Sequence, residues 1–194
     1  MDKIVYENVL KCLKRRGYGN IVNVENDDYK FTINFSNGNK NGTALYYTKT
    51  INLDEMGTIF RPFVVDSPVN KYHVIIIYTA ITSPALNSFK DNISQYIYSE
   101  LIEDTHFKQD FMSHPLVPEY KLLSKVEKEI ILETYKTKSY LFPQMLISDP
   151  ISVIMNFRND DMVKVMCYYN FTKKQIDKEM PPSITYCMIT NKCE

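Results

Sequence analysis

The chain has 194 residues, 44% hydrophobic and 24% charged, which marks a globular sequence able to bury one large core or two small ones. Lys plus Arg and Asp plus Glu both number 23, so the net charge is zero and strong autonomous binding to many phosphates is excluded. No apolar run reaches membrane-spanning length, the first residues carry no signal-peptide organisation, and the four cysteines lack zinc-ligand spacing; an intracellular protein with free thiols and no membrane partner is expected.

Residues 2–16 read as a helix. Asp2 stands at the N-cap, Val5, Val9 and Leu13 recur at four-residue spacing, and Lys14, Arg15 and Arg16 precede Gly17 as terminator. Such a basic last turn suits either phosphate or plain solvation. Residues 19–29 are polar and read as loop. Lys30 to Phe35 alternates as a strand, Asn37-Gly38 and Asn41-Gly42 are turn dipeptides, and Thr43 to Thr48 returns as the second arm of a hairpin. From Ile51 to Val69 the signal is weak, predicting irregular structure with a short helix over 53–58. His73 to Tyr78 is the near-continuous apolar run of a strand covered on both faces. Thr82 or Ser83 as N-cap, with Pro84 at the first helical position, opens a helix reaching about Asp91. A strand over Gln95 to Leu101 then completes a βαβ unit.

Pro115 and Pro118 push His114 and Val117 out of the α region, so residues 114–120 are expected to be extended and stiff. The pattern changes here, predicting an α/β domain over 1–112 and a small α+β domain over 113–194. Ser124-Lys125-Val126-Glu127 has the capping-box pattern and starts a helix over 124–137. A strand over 144–147 follows, and Asp149-Pro150 pairs an N-cap with proline to start a short helix. Met162 to Tyr169 and Ser183 to Thr190 are strand-like, joined by a charged connection over 172–180 longer than a hairpin needs.

The chemistry of an enzyme is hard to find. With 5 glycines there is no phosphate-cradling loop and no nucleophile elbow, and His73, His106 and His114 lack triad-like flanks, so each is read as structural. Cys187 and Cys193 could be oxidised or metal-bound, although free thiols suit their spacing better. Asp28-Tyr29-Lys30 and Glu119-Tyr120-Lys121 have the acid-x-Lys spacing of nucleases that hold Mg²⁺, without an acidic partner on a preceding buried strand. A stand-alone Mg²⁺-dependent nuclease of restriction-like fold is therefore the alternative reading. No cofactor is expected.

His114-Pro115-Leu116-Val117-Pro118-Glu119-Tyr120 resembles the H-x-L-V-P-E-H start of the C-terminal domain in the shared fifth subunit of eukaryotic RNA polymerases and in its archaeal counterpart. The likeness continues in order: Leu123-Ser124 with Glu127-Lys128 is similar to L-S-x-E-E-K, Tyr135-Lys136 to Y-K, Phe142-Pro143 to L-P, Asp149-Pro150 to D-P, Met162-Val163-Lys164-Val165 to V-V-K-I and Ile184-Thr185-Tyr186 to I-T-Y. Upstream, Arg16-Gly17-Tyr18 fits and Ile81-Thr82-Ser83-Pro84-Ala85 looks like the family's T-P-S-A turn. The resemblance implies a non-catalytic subunit: an N-terminal α/β jaw of restriction-endonuclease-like fold beside downstream double-stranded DNA, and a C-terminal α+β assembly domain anchored to the largest subunit. Carried over, Ser83, Pro84, Ala85 and Lys90 are candidates for weak, sequence-independent DNA contact. His114, Leu116, Val117, Pro118, Glu119, Asp149, Pro150 and Arg158 are candidates for the partner interface.

The departures are specific. Val153, Cys167 and Cys187 stand where the family has Arg, which removes bidentate donors. Asn156 and Asp160 stand where it has Gly, and both can take the left-handed conformation. This implies a divergent polymerase with a co-evolved largest subunit, such as that of a large cytoplasmic DNA virus. The expected location is the nucleus for a cellular protein, and the host cytoplasm and virion for a viral one. An adaptor derived from the subunit is a further alternative.

Overall fold

In the computed structural model, which describes residues 2–24, 29–38, 40–66, 72–93, 98–170, 175–176 and 181–191, helix α1 spans Asp2–Arg15 and stops at Gly17, whose φ is +83°. The Gly17 N–H donates to the Lys14 carbonyl and the Tyr18 N–H to the Leu13 carbonyl, both at 3.0 Å, the paired bonds of a glycine-terminated helix. Val5, Val9 and Leu13 are buried on one face, as their spacing requires. Arg16 neither reaches for phosphate nor lies in solvent. It turns inward and donates from Nη1 and Nη2 to the two Glu100 carboxylate oxygens, each at 3.0 Å.

The first compact unit, residues 1–109, is built on a five-stranded sheet ordered β1-β2-β3-β4-β5. Its strands are Asn20–Val24, Phe31–Asn37, Lys40–Ile51, Tyr72–Ile81 and Tyr98–Glu103. The first three are antiparallel neighbours, while β4 lies parallel to both β3 and β5. Strand β1 corrects the loop expected there. It is an edge strand, mostly exposed, and such a strand carries no apolar alternation to read. The expected turn at Asn37-Gly38 forms, with Gly38 at φ +56°, but Asn41-Gly42 lies inside β3. Gly42 is needed there for space: a Cβ would collide with the His73 carbonyl and the Phe35 ring.

The weak stretch after Ile51 is in fact helix α2, Leu53–Asp66. Asn52 and Glu55 form a reciprocal cap, the Glu55 N–H donating to Asn52 Oδ1 at 2.9 Å and the Asn52 N–H donating to Glu55 Oε2 at 3.0 Å. Met56, Ile59 and Phe60 then pack on the sheet despite Pro62 within the helix. Helix α3, Ser83–Ser88, and a π-turn over Phe89–Ile93 connect β4 to β5 and complete the βαβ unit. Part of the expected last strand, residues 95–97, lies outside the described residues. Val74 to Ile77 are at most 2% exposed at the centre of the sheet, so this core is fully closed.

The second unit, residues 110–194, holds a four-stranded sheet ordered β6-β8-β11-β7: Glu119–Leu122, Met162–Cys167, Ser183–Thr190 and Gln144–Leu146. Strand β11 is antiparallel to β8 and parallel to β7, so both sheets are mixed and the chain is α+β. A two-residue pairing, β9 (Tyr169–Asn170) with β10 (Gln175–Ile176), interrupts the long connection. Helix α4, Lys125–Tyr135, starts from the capping box at Ser124, and α5, Pro150–Met155, from Asp149. Asn156 and Asp160 both adopt positive φ, +55° and +68°, the left-handed conformation expected where the family has Gly. No helix among the described residues is long and apolar enough to cross a membrane.

Candidate functional site

The His114 segment is a turn rather than the expected extended rod. His114 itself is extended, at φ −68° and ψ 131°, as the following proline demands. Pro115 then takes the second position of a β-turn closed by the Val117 N–H donating to the His114 carbonyl at 3.0 Å. The Leu116 N–H donates to His114 Nδ1 at 3.2 Å, which leaves the Leu116 side chain at the turn tip, 61% exposed. Val117 and Pro118 are half-buried, and Glu119 opens β6 with its carboxylate exposed.

Next in the chain, Ser124 receives the Glu127 N–H at 3.2 Å while Glu127 Oε2 receives the Ser124 N–H at 2.8 Å. Lys121 Nζ donates to the other Glu127 oxygen at 3.0 Å. The Ser124 backbone N–H, with Lys121 and the Ser124 hydroxyl, holds the Glu127 carboxyl down to about 2. Lys121 is thus paired with the carboxylate that caps the helix. Asp28, the acid of the other acid-x-Lys pair, lies outside the described residues, and among the described residues no three His, Cys, Asp or Glu side chains gather as a metal site.

Cross-strand register decides which side chains meet. Tyr120 faces Val165, Val163 faces Cys187, Cys167 faces Ser183 and Ile189 faces Met145, and directly opposed residues share a face. Helix α5 crosses this face: Ile151 and Met155 pack with Tyr120, Val163, Phe157 and Ile189. That crossing carries Asp149 towards Tyr120, although β6 and β7 are opposite edges of the sheet. Burial pushes the Tyr120 hydroxyl up, and the nearby Asp149, Cys187 and Cys167 add to the rise. Two family-arginine positions therefore share this face with the Tyr120 and Asp149 parts of the motif. The remaining one, Val153, is half-buried on α5.

Asp149 Oδ1 accepts the Ile151 N–H at 2.8 Å and its carbonyl accepts the Val153 N–H at 2.9 Å, while Pro150 is exposed in the first turn. Arg158 sits in the exposed turn before β8, where its N–H donates to Asp161 Oδ2 at 2.7 Å. The candidates are thus spread over two turns, a strand and a helix start. In the first unit Ser83, Pro84 and Lys90 are exposed. Ala85 is fully buried in the cluster that holds Met56, Ile59 and Phe60 of α2, so its side chain fastens α3 to the sheet and only its backbone can face outward. Thr82, the N-cap, makes no side-chain capping bond.

Residue-by-residue reading missed the apolar surface. Among the described residues twelve large hydrophobic side chains are exposed, and only Ile4, Val22 and Leu53 belong to the first unit. The other nine, including Leu122, Val126, Ile130, Tyr135, Tyr140, Leu141 and Ile184, belong to the second. Helix α4 has no buried residue at all. A signal was available: Val126 and Ile130 lie four apart, on the side of the helix opposite Ile131 and Leu132.

Residues 110–175 match the family model described as RNA polymerase Rpb5, C-terminal domain. The chain is 38% identical over 56 residues to the DNA-directed RNA polymerase subunit Rpo5 of Thermococcus onnurineus, covering 29% of this chain and 68% of that protein. It is 27% identical over 93 residues to the subunit RPABC1 of DNA-directed RNA polymerases I, II and III from Caenorhabditis elegans, covering 48% of this chain and 44% of that protein. A similar partial likeness, 24% over 92 residues, joins it to the DNA-directed RNA polymerase subunit 5-like protein 1 of Arabidopsis thaliana, of which it covers 43%. The chain thus spans less than half the length of these eukaryotic relatives.

Proposed function

Because this chain belongs to the RPABC1 and Rpo5 family of RNA polymerase subunits, we propose that it is a non-catalytic subunit of a multi-subunit DNA-directed RNA polymerase. In this reading residues 110–194 anchor it to the largest subunit. Residues 1–109 form a jaw of restriction-endonuclease-like fold beside downstream double-stranded DNA, and the α-β-β-β-α-β-α-β order of that unit supports the assignment. The compartment is that of the polymerase.

The observation that carries the anchoring role is the concentration of exposed large hydrophobics on the second unit. Exposed apolar patches mark protein-interaction sites, so this concentration supports a surface completed by another protein. Leu116 at its turn tip is the proposed central anchor, with His114, Val117, Pro118 and Glu119 around it and Asp149, Pro150 and Arg158 as further contacts. Ser83, Pro84 and Lys90 are proposed to touch the DNA backbone weakly and without sequence preference, which suits a chain of zero net charge.

Affinity purification of the tagged full chain from its source cells tests the reading. The largest polymerase subunit is expected among the recovered proteins and is expected to be lost with Leu116→Asp, a change at an exposed position that should leave the fold intact. Recovery of the chain alone would sink the proposal, and recovery with an assembly lacking the largest subunit would favour the adaptor.

A further inference from the structure

Helix α4 ends in an aromatic and basic surface that the anchoring motif does not use. The Tyr135 ring meets Phe142 edge-on, with centroids 5.8 Å apart, and meets Tyr186 at 6.0 Å. Tyr135 is nevertheless 58% exposed, and the neighbouring Tyr140 and Leu141 are 57% and 66% exposed. Leu141 is the most exposed large hydrophobic side chain among the described residues. Phe142 and Tyr186 hold Tyr135 in a ring cluster, and Tyr140 and Leu141 directly precede Phe142 in the chain, so three exposed apolar side chains lie close together in this part of the unit.

Two cations frame the patch. Lys138 Nζ lies 5.9 Å from the Tyr140 ring centroid, and Lys136 is exposed at the helix end. Lys136 is held in the left-handed conformation, φ +48°, while its own N–H donates to the Glu133 carbonyl and the Thr137 N–H to the Leu132 carbonyl. Lys138 is thus set near a ring, and Lys136 leaves the helix end from a fixed backbone. Tyrosine side chains are enriched at the centre of protein interfaces, with polar and charged residues around them at the rim.

We propose that Tyr135, Tyr140 and Leu141, with Lys136 and Lys138, form a docking surface for an acidic segment of a partner protein that carries a large apolar side chain. The apolar side chain would seat against Tyr135 and Leu141, and the carboxylates would meet the two lysines. Two cations and an aliphatic tip suit a peptide with a few carboxylates better than a nucleic acid, whose binding grows with the number of phosphates it neutralises. Tyr135, Tyr140 and Leu141 are among the exposed hydrophobics that support the anchoring reading, and the surface lies apart in sequence from the Leu116 turn proposed as the central anchor.

A photo-crosslinking residue, p-benzoylphenylalanine, placed at Leu141 of the full chain in its source cells tests this directly. The expected product is a protein crosslink mapping to a segment of net negative charge. Its yield should exceed that from the same residue at Lys125 and should fall about tenfold or more with Lys136→Glu and Lys138→Glu combined. Raising salt in the extract from about 0.1 M to about 1 M, which shortens the Debye length from about 10 Å to about 3 Å, should also lower the yield without any substitution. Crosslinking to nucleic acid, to a second copy, or to a neutral or basic segment overturns the proposal. So does a yield no higher than at Lys125, or one insensitive to both charge reversal and salt.

Discussion

The two units bury their apolar side chains very differently. Among the described residues the first holds twenty-two buried hydrophobic residues and a part-buried ion pair, whereas the second holds six and leaves nine large apolar side chains in water. The first unit closes its own core, with β4 covered on both faces. The second turns its apolar surface outward, and α4 contributes nothing to a deep interior. A unit with so little buried area is marginal by itself and gains stability from whatever covers it. Under the proposed function, that contrast separates residues kept for folding from residues kept for assembly.

The largest test of the first unit is Arg16→Ala. Glu100 is part-buried beside Arg16 and 2.5 Å from His73 Nε2, with the Tyr18 hydroxyl 3.0 Å from His73 Nδ1. Burial pushes the Glu100 carboxyl up, but Arg16 and His73 outweigh it and hold it below the usual carboxylate range. Removing Arg16 strands a part-buried carboxylate, so about 3–5 kcal/mol should be lost at neutral pH in denaturant unfolding. In the parent protein Glu100 stabilises the fold above its unfolded pKa, and that contribution fades as pH falls through the lowered folded value. In the variant burial acts on Glu100 with less to oppose it, so the penalty should shrink in acid. A penalty equal at pH 7 and pH 4 would show that Arg16 acts through packing.

Gly42→Ala should cost less, about 1–3 kcal/mol, by forcing a methyl against the Phe35 ring and the His73 carbonyl. Combining it with Phe35→Ala should relieve only part of its cost, because the carbonyl is backbone and cannot be removed. Full relief would place the whole clash on the ring.

In the second unit Ser124→Ala should cost about 1 kcal/mol by breaking one side of the capping box. The loss should be read as faster amide exchange over residues 125–128, with the first unit unchanged. A change of exchange in both units would mean that their stabilities are not separable and would weaken the contrast.

Much of this was legible where the physics is local. Ser124 with Glu127, Asp149 with Pro150, Gly17 and the left-handed Asn156 and Asp160 all act within a few residues of themselves. Asn52 and Glu55 carried the same cap signal, overlooked in a stretch of weak periodicity. The rest depends on partners distant in sequence. Arg16 reads as a surface cation until β5 places Glu100 beside it, and Gly42 reads as a turn residue until β2 and β4 close on either side. The meeting of Tyr120 with Asp149 follows from α5 crossing the sheet, and no spacing in the chain announces it.

The smallest expected effect bears most directly on the contrast. Lys136 carries the steric cost of positive φ at a position where Gly is the usual solution. Lys136→Gly should therefore stabilise the second unit by about 0.5–1 kcal/mol, less the entropy that Gly adds to the unfolded chain. If the lysine is kept for docking, the same variant should be more stable and yet crosslink less through Leu141. The comparable change Asn156→Gly should give a smaller gain, because Asn already tolerates the conformation, and should leave crosslinking unaltered. Stability and docking moving in opposite directions at Lys136 alone would identify strain retained for binding. Moving together, they would reduce Lys136 to an unoptimised helix end.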